Sequence, residues 1–199
     1  MSSGIARLYN DWEKWAATAD QSDEGWQSDY PRWSLLMDSA VQKMTQPSPG
    51  SEDVDYIDKC WAISKEGECL ADYARAHVER CWTVLCLLTE SKRRATRWQA
   101  YDVLSCAGRK AETLLRKGLS DPDDYCKRRA LLSLARLSPK DAKELADRFC
   151  RHEDPYIRQA SISMAVASKD TAFIDLIARR LAHDPAWHVR EAAQERAAS

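Results

Sequence analysis

The sequence has few of the features that are typical of a β-rich, membrane-spanning or disulfide-linked protein. Its 199 residues include six glycines and two phenylalanines, and no segment alternates apolar and polar residues as a half-buried strand does. No run of eighteen apolar residues occurs, and the first seven residues lack the apolar core of a signal peptide. The seven cysteines are an odd number and scattered singly, as reduced thiols in a helical core would be. The sequence therefore predicts an all-α, cytoplasmic protein without a membrane segment.

Motifs for catalysis and cofactor binding are also missing. There is no Gly-rich phosphate loop, no Gly-x-Ser-x-Gly elbow and no His-Glu-x-x-His pair. His183 and His188 have no further ligand at metal-binding spacing, and we expect His77 to be a core residue on an apolar helix face. We predict no catalytic, cofactor-binding or metal residues, and therefore no enzyme.

A short sequence motif recurs in the second half of the chain: Asp-Pro, then a basic residue, then a small one. Copies begin at Asp121, Asp154 and Asp184, and a fainter copy without Asp-Pro spans residues 96–100. The basic positions are 30, 31 and 32 residues apart, at Arg97, Lys127, Arg158 and Arg190. Self-similarity at this period indicates stacked repeats. The Asp would cap a helix that opens at the following Pro.

The motif Asp-Pro-x-x-x-(Val/Ile)-Arg-x-Ala resembles the start of the short bacterial form of the HEAT repeat. The resemblance covers roughly residues 91–199. The resemblance implies a right-handed α-solenoid of stacked antiparallel helix pairs, with about ten to eleven helices in the chain. It also implies a structural ladder along the stack, formed by Asp121, Asp154, Asp184, Lys127, Arg158 and Arg190. Lys127 and Cys126 depart from the Arg and Val of the pattern.

Residues 1–90 differ from the repeats in being rich in tryptophan and acidic residues. They predict degenerate helical hairpins with a linker near residues 47–52 and a long helix from Cys69 to Thr89. Residues 91–199 would carry the repeats, ending in a polar cap helix from Pro185 to Ser199. We expect one continuous domain.

Charge is distributed unevenly along the chain. Residues 1–60 hold eleven acidic and five basic side chains, whereas residues 61–199 hold twenty acidic and twenty-five basic ones. The basic excess forms a stripe that could face nucleic acid or an acidic partner, although charged residues on solvated helix faces explain it more simply: Lys92, Arg93, Arg94, Arg97, Arg109, Lys110, Arg116 and Lys117. Five tryptophans have the spacing of an apolar helix face and are predicted to be core: Trp12, Trp15, Trp33, Trp61 and Trp82.

Three functions are compatible with these features. The first is a protein-binding solenoid, which in general make-up is similar to immunity proteins that neutralise a cognate, possibly basic and nuclease-like, toxin. The second is a nucleic-acid-binding protein similar to the HEAT-like DNA-alkylation-repair glycosylases, against which the net charge of −1 argues. The third is a scaffold or a subunit similar to bilin lyases. Predicted partner-binding residues are acidic or aromatic: Asp11, Glu13, Asp20, Asp23, Glu24, Asp29, Trp98, Tyr125, Tyr156 and Trp187.

Overall fold

A computed structural model describes residues 3–66 and 68–197, and this part of the chain contains helices and no strand, which confirms the all-α prediction. The chain divides after Ala107 into two compact units. The α-helices are α1 (Gly4–Ala16), α2 (Trp33–Met44), α3 (Ser51–Ile63), α4 (Cys69–Ala76), α5 (Val78–Leu88), α6 (Arg94–Leu104), α7 (Glu112–Gly118), α8 (Asp124–Leu137), α9 (Pro139–Phe149), α10 (Pro155–Ala167), α11 (Thr171–Leu181) and α12 (Trp187–Ala197). Two 3₁₀ segments cover Trp26–Asp29 and Ser105–Ala111.

The single long helix predicted from Cys69 to Thr89 is wrong in one respect, because it breaks at His77. That residue has φ −132° and ψ 38°, which ends α4 and starts α5. His77 lies exposed at the break, with its ring 4.5 Å from that of Tyr73, and is not the core residue predicted. If α4 and α5 are counted as one interrupted helix, the described helices agree with the expected number.

Helices of the first unit pack in two rows. α1 packs on α3, which packs on α6, while α2 contacts α1, α3, α4 and α5. Trp61 of α3 is completely buried in this core, as are Leu36 and Met44 of α2. Leu35, predicted on the apolar face of α2, is 51% exposed, since the buried face is centred on Leu36. The predicted linker lies mostly between α2 and α3, but α3 already begins at Ser51.

The second unit is a stack of helix pairs, as the repeated motif predicts. The first helices of successive repeats, α8, α10 and α12, pack side by side in one layer. Their second helices form the other layer, in which α9 contacts α11. Contacts of α8 with α9 and of α10 with α11 close the pairs, and contacts of α9 with α10 and of α11 with α12 join successive pairs. α12 buries Val189 and Ala193 against this stack. The predicted cap helix therefore exists up to Ala197, and its last two residues lie outside the described part.

The Asp-Pro pair caps a helix in one copy and makes a turn in the other two. Asp154 is the N-cap of α10, accepts a hydrogen bond from the Ile157 N–H at 2.9 Å, and is followed by Pro155 at the helix start. The capping prediction is wrong for the other copies, where α8 and α12 begin three residues after the aspartate. There the carboxylates of Asp121 and Asp184 accept from the backbone N–H two residues on, at 2.9 Å, which is an Asx turn.

The cap of α10 gives a testable stability difference. We expect Asp154→Ala to lower the free energy of unfolding by about 1 kcal/mol, because the N–H of Ile157 loses its acceptor. Asp154→Asn keeps an acceptor at the same place and should cost less than about 0.5 kcal/mol. Urea denaturation followed by far-UV circular dichroism compares the two. Equal losses for both variants would show that charge, and not capping, is what matters at this position.

Candidate functional site

In the first unit, an exposed acidic surface is formed by the segment that joins α1 to α2. Residues 17–31 contain four carboxylates and no lysine or arginine. All four side chains are exposed: Asp20, Asp23, Glu24 and Asp29. We call residues 17–31 the acidic segment. Its charge is uncompensated within the segment, so it presents a local negative surface.

Stacked aromatic rings hold the acidic segment against α1. The Trp26 ring lies 6.1 Å from that of Trp12 and 5.9 Å from that of Trp15, both in stacked geometry. The Trp12 indole N–H also donates to the Gln27 carbonyl at 3.4 Å. Aromatic pairs of this kind add about 0.5–1.5 kcal/mol beyond the area that they bury. The carboxylates are therefore presented on an anchored loop, which reduces the entropy lost when a partner binds.

The six acidic residues predicted from the sequence are not equivalent in the structure. Asp11 pairs with Arg32 at 3.1 Å, and this half-exposed pair belongs to a class worth at most about 1 kcal/mol. Glu13 is exposed on α1. Asp20 accepts a hydrogen bond from the Ser22 N–H at 3.0 Å, and that bond lowers the pKa of its carboxyl. Asp23, Glu24 and Asp29 are the members best placed to meet a cationic partner.

The tryptophan predictions are partly right. Trp12 and Trp61 are buried, whereas Trp15, Trp33 and Trp82 are only half-buried. Sequence reasoning missed Trp26, although it is the one tryptophan of a polar, acidic stretch, and such isolation was the available signal. Helical periodicity does not find it, because it sits in a short 3₁₀ turn after Gly25, whose φ of 82° favours glycine.

In the second unit, one row of rings and a guanidinium crosses the layer formed by α8, α10 and α12. The Arg128 guanidinium carbon lies 4.9 Å from the centroid of the Tyr125 ring and 5.2 Å from that of Tyr156. The Tyr156 ring stacks on that of His188 at 4.6 Å, and Trp187 meets His188 edge-on at 5.8 Å. We call these five residues the arginine–aromatic row. It joins three successive repeats on one face.

Of the four aromatic residues predicted to bind a partner, three belong to this row. Tyr156 is 53% exposed and Trp187 is 66% exposed, while Tyr125 is half-buried. Trp98 is half-buried on α6 of the first unit and is not part of the row. The prediction that these residues meet a partner stays a prediction.

A groove of about 220 Å³ runs beside the arginine–aromatic row. Its lining comes from all three helices of the layer. Arg128, Arg129 and Arg196 supply its positive charge and Glu195 its single carboxylate. Apolar contributions come from Leu132 and other small or aliphatic side chains of α10 and α12, Ala160, Ile162 and Ala192.

A strong rung of the predicted ladder joins Arg158 to Asp184. Arg158 donates from Nε and Nη2 to the two carboxylate oxygens of Asp184, both at 2.7 Å, so α10 is tied to the turn before α12. Its Nη1 donates to the His152 and Glu153 carbonyls. Hydrogen bonding to Arg158 lowers the pKa of Asp184. Lys127 instead bonds to Asp124 on its own helix at 2.5 Å, and Arg190 donates to the carbonyl of Asp184 at 2.8 Å.

Internal bonds occupy several cations of the predicted basic stripe. Arg93 pairs with Asp58 at 2.7 Å, and Arg97 donates to the Ser91 carbonyl at 2.9 Å. Arg116 pairs with both Glu112 and Asp141, at 2.9 and 2.8 Å. The remaining members are exposed: Lys92, Arg94, Arg109, Lys110 and Lys117. The internal pairs support the interpretation that part of the stripe stabilises the helices.

The thiols are arranged for packing more than for nucleophilic chemistry. All seven cysteines are thiols outside any disulfide, and four of them are buried: Cys60, Cys81, Cys126 and Cys150. Burial raises the pKa of Cys60, of Cys69, and of Cys81, the last to about 11, so these sulfurs stay protonated near neutral pH. Cys106 is exposed, and the core prediction is wrong there. Within residues 3–66 and 68–197, no three potential ligands among His, Cys, Asp and Glu gather as a metal site.

Comparison with known proteins gives a match to a family model. The family model described as HEAT repeats matches residues 112–198. No curated protein and no solved structure matches the chain. Among the described helices, none is long and apolar enough to cross a bilayer.

Proposed function

We propose that this protein is a non-enzymatic binding protein that holds another protein in the cytoplasm, because residues 112–198 match the family model of HEAT repeats. The layer of α8, α10 and α12 offers a continuous face with exposed aromatic side chains, and tryptophan, tyrosine and arginine are the residue types enriched at interface hot spots. The cysteines, which form no disulfide and are mostly buried, suit a reducing compartment.

The most concrete form of this proposal is an immunity protein that neutralises a basic, nuclease-like toxin. The observation that carries it is the acidic segment, which contains four exposed carboxylates and no lysine or arginine and is anchored by Trp26. A toxin that binds nucleic acid needs a cationic surface, because phosphate contacts supply much of its affinity. A negative, pre-formed loop is complementary to such a surface and would cover it.

Electrostatic complementarity acts mainly on the rate at which the partners meet. Steering of oppositely charged surfaces raises association rate constants from about 10⁵–10⁶ to as much as about 10⁸–10⁹ M⁻¹s⁻¹ at low salt. A neutralising protein benefits from such speed, because the toxin acts for as long as it is unbound. The effect is screened beyond about 8 Å at physiological ionic strength.

Charge reversal of the acidic segment tests this form of the proposal. We expect the triple variant Asp23→Lys, Glu24→Lys, Asp29→Lys to slow association with the affinity-purified partner by about tenfold or more at low salt. Dissociation should change less. Stopped-flow or surface plasmon resonance kinetics at several salt concentrations would measure both rates, and far-UV circular dichroism would check that helicity is retained.

A matched control keeps the change in net charge the same. Glu144, Glu153 and Glu191 are exposed on the second unit, and their reversal to lysine should leave the association rate within about threefold. If both triple variants slow association equally, then net charge and not the acidic segment steers the partner. Strong, salt-sensitive binding to duplex DNA by the unaltered protein would instead favour the glycosylase-like alternative.

A further inference from the structure

The arginine–aromatic row and its groove point to a second binding site, of the opposite sign to the acidic segment. We infer that the groove between α8, α10 and α12 binds an acidic peptide segment, with a carboxylate on Arg128 and an apolar or aromatic side chain in the groove. This inference rests on the general protein-binding proposal, since it names the chemistry of a partner for the same layer of helices, but it is independent of the immunity form, which rests on the acidic segment.

Arg128 is held in place but lacks an anionic partner. Its guanidinium lies between the Tyr125 and Tyr156 rings, both closer than the roughly 6 Å within which cation–π attraction is significant. Among the described residues, no carboxylate lies within ion-pair distance of Arg128, in contrast to Arg158, which Asp184 neutralises. A fixed, planar guanidinium loses little entropy on binding and matches the two oxygens of a carboxylate.

The size and walls of the groove favour a peptide side chain over a small molecule. Its volume of about 220 Å³ is below the roughly 300–1,000 Å³ of pockets that enclose drug-sized ligands. The combination of Leu132, Ala160 and Ala192 with three arginines suits a segment that alternates acidic and apolar side chains. Tyr156 and Trp187, both more than half exposed, extend the contact beyond the groove.

The same surface is less suited to a nucleic-acid strand. A phosphodiester backbone carries a charge at every nucleotide, and binding it needs a track of cations along the strand. Here the groove holds three arginines beside the carboxylate of Glu195, which are fewer cations than a strand with a charge at every nucleotide needs. Exposed aromatic rings can stack on bases, so a single strand is the competing occupant that the experiment has to test.

The experiment uses the full chain and two fluorescent probes, measured by fluorescence anisotropy. One probe is a short peptide in which glutamates surround a central phenylalanine, and the other is an oligothymidylate of equal length. We expect the peptide to bind, with an affinity that falls as salt rises. Arg128→Ala should weaken it about tenfold or more, since a hydrogen-bonded charge partner is lost. Arg128→Lys should recover part of the loss, because charge returns without the planar fork.

Two further variants keep the test sound if Arg128→Ala is poorly folded. Trp187→Ala removes an exposed side chain that contributes little to folding, and it should weaken the peptide several-fold. Arg151→Ala removes an exposed arginine of the same unit outside the groove, and it should leave binding unchanged. Absence of peptide binding, equal binding by the Arg128→Ala and Arg151→Ala variants, or tighter binding of the oligothymidylate would each overturn the inference.

Discussion

Asp184→Ala is expected to lower the free energy of unfolding of the second unit by about 3 kcal/mol, a large share of the stability of a small unit. The Arg158 and Asp184 side chains are 13% and 4% exposed and share two parallel hydrogen bonds at 2.7 Å. Removing the carboxylate leaves a largely buried guanidinium with only backbone carbonyls as acceptors. The measurement is urea denaturation by far-UV circular dichroism, with amide hydrogen exchange in α10 and α12 to locate the loss.

Another interhelical Arg–Asp pair provides the matched control. Arg180 of α11 pairs with Asp147 of α9, but the two side chains are 34% and 53% exposed. Water screens this pair, so Asp147→Ala should cost less than about 1 kcal/mol. Replacing both partners of the buried pair, as in Arg158→Met with Asp184→Leu, should cost less than Asp184→Ala alone. Equal losses in the two alanine variants would contradict a special role of burial.

The contribution of the Arg158–Asp184 pair to the free energy of unfolding depends on pH and is lost in acid. Its hydrogen bonds hold the pKa of Asp184 below the ordinary value of about 3.8, which applies in the unfolded chain. The resulting stabilisation is therefore complete above that value and is lost as the pH falls through the lower folded-state pKa. Asp184→Asn has no such titration, so its stability difference from the unaltered protein should shrink steadily below about pH 4. A constant difference would show that the carboxylate is not the group responsible.

Trp61→Ala is expected to produce the largest loss in the first unit, about 4 kcal/mol. The ring is completely buried on α3, and its indole N–H points to the Met44 sulfur at 3.3 Å. Truncation leaves a cavity that a close-packed helical core collapses into only in part. Gln99 still donates to the Trp61 carbonyl, so the loss measures the side chain and not the backbone contact.

Trp187 provides the control for the size of the residue removed. It is 66% exposed, and Trp187→Ala should change the free energy of unfolding by less than about 0.5 kcal/mol. Both variants are followed by far-UV circular dichroism, because each removes a fluorophore. If Trp61→Ala cost no more than Trp187→Ala, then the packing described for the first unit would be wrong.

The periodicity of apolar residues and the positions of helix-breaking residues were enough to predict the helices but not all of their ends. The helical spacing of the apolar residues Ile5, Leu8 and Trp12 predicts α1, and the repeated motif predicts the first helices of the pairs. The break at His77 was not predicted, because apolar residues continue at helical spacing on both sides of it. The Asp-Pro pair looks the same in three copies, yet it caps a helix only at Asp154, because the other two copies turn once more before the helix begins.

The sequence by itself determined that the chain is helical and that its second half is built of repeats, because both follow from local spacing along the chain. Only the tertiary structure decided that Arg158 pairs with Asp184, and that Trp26 folds back on Trp12 and Trp15. It alone placed Arg128 between two tyrosines of different repeats. These contacts join residues far apart in the chain, and their geometry depends on how whole helices pack, which local pattern does not encode.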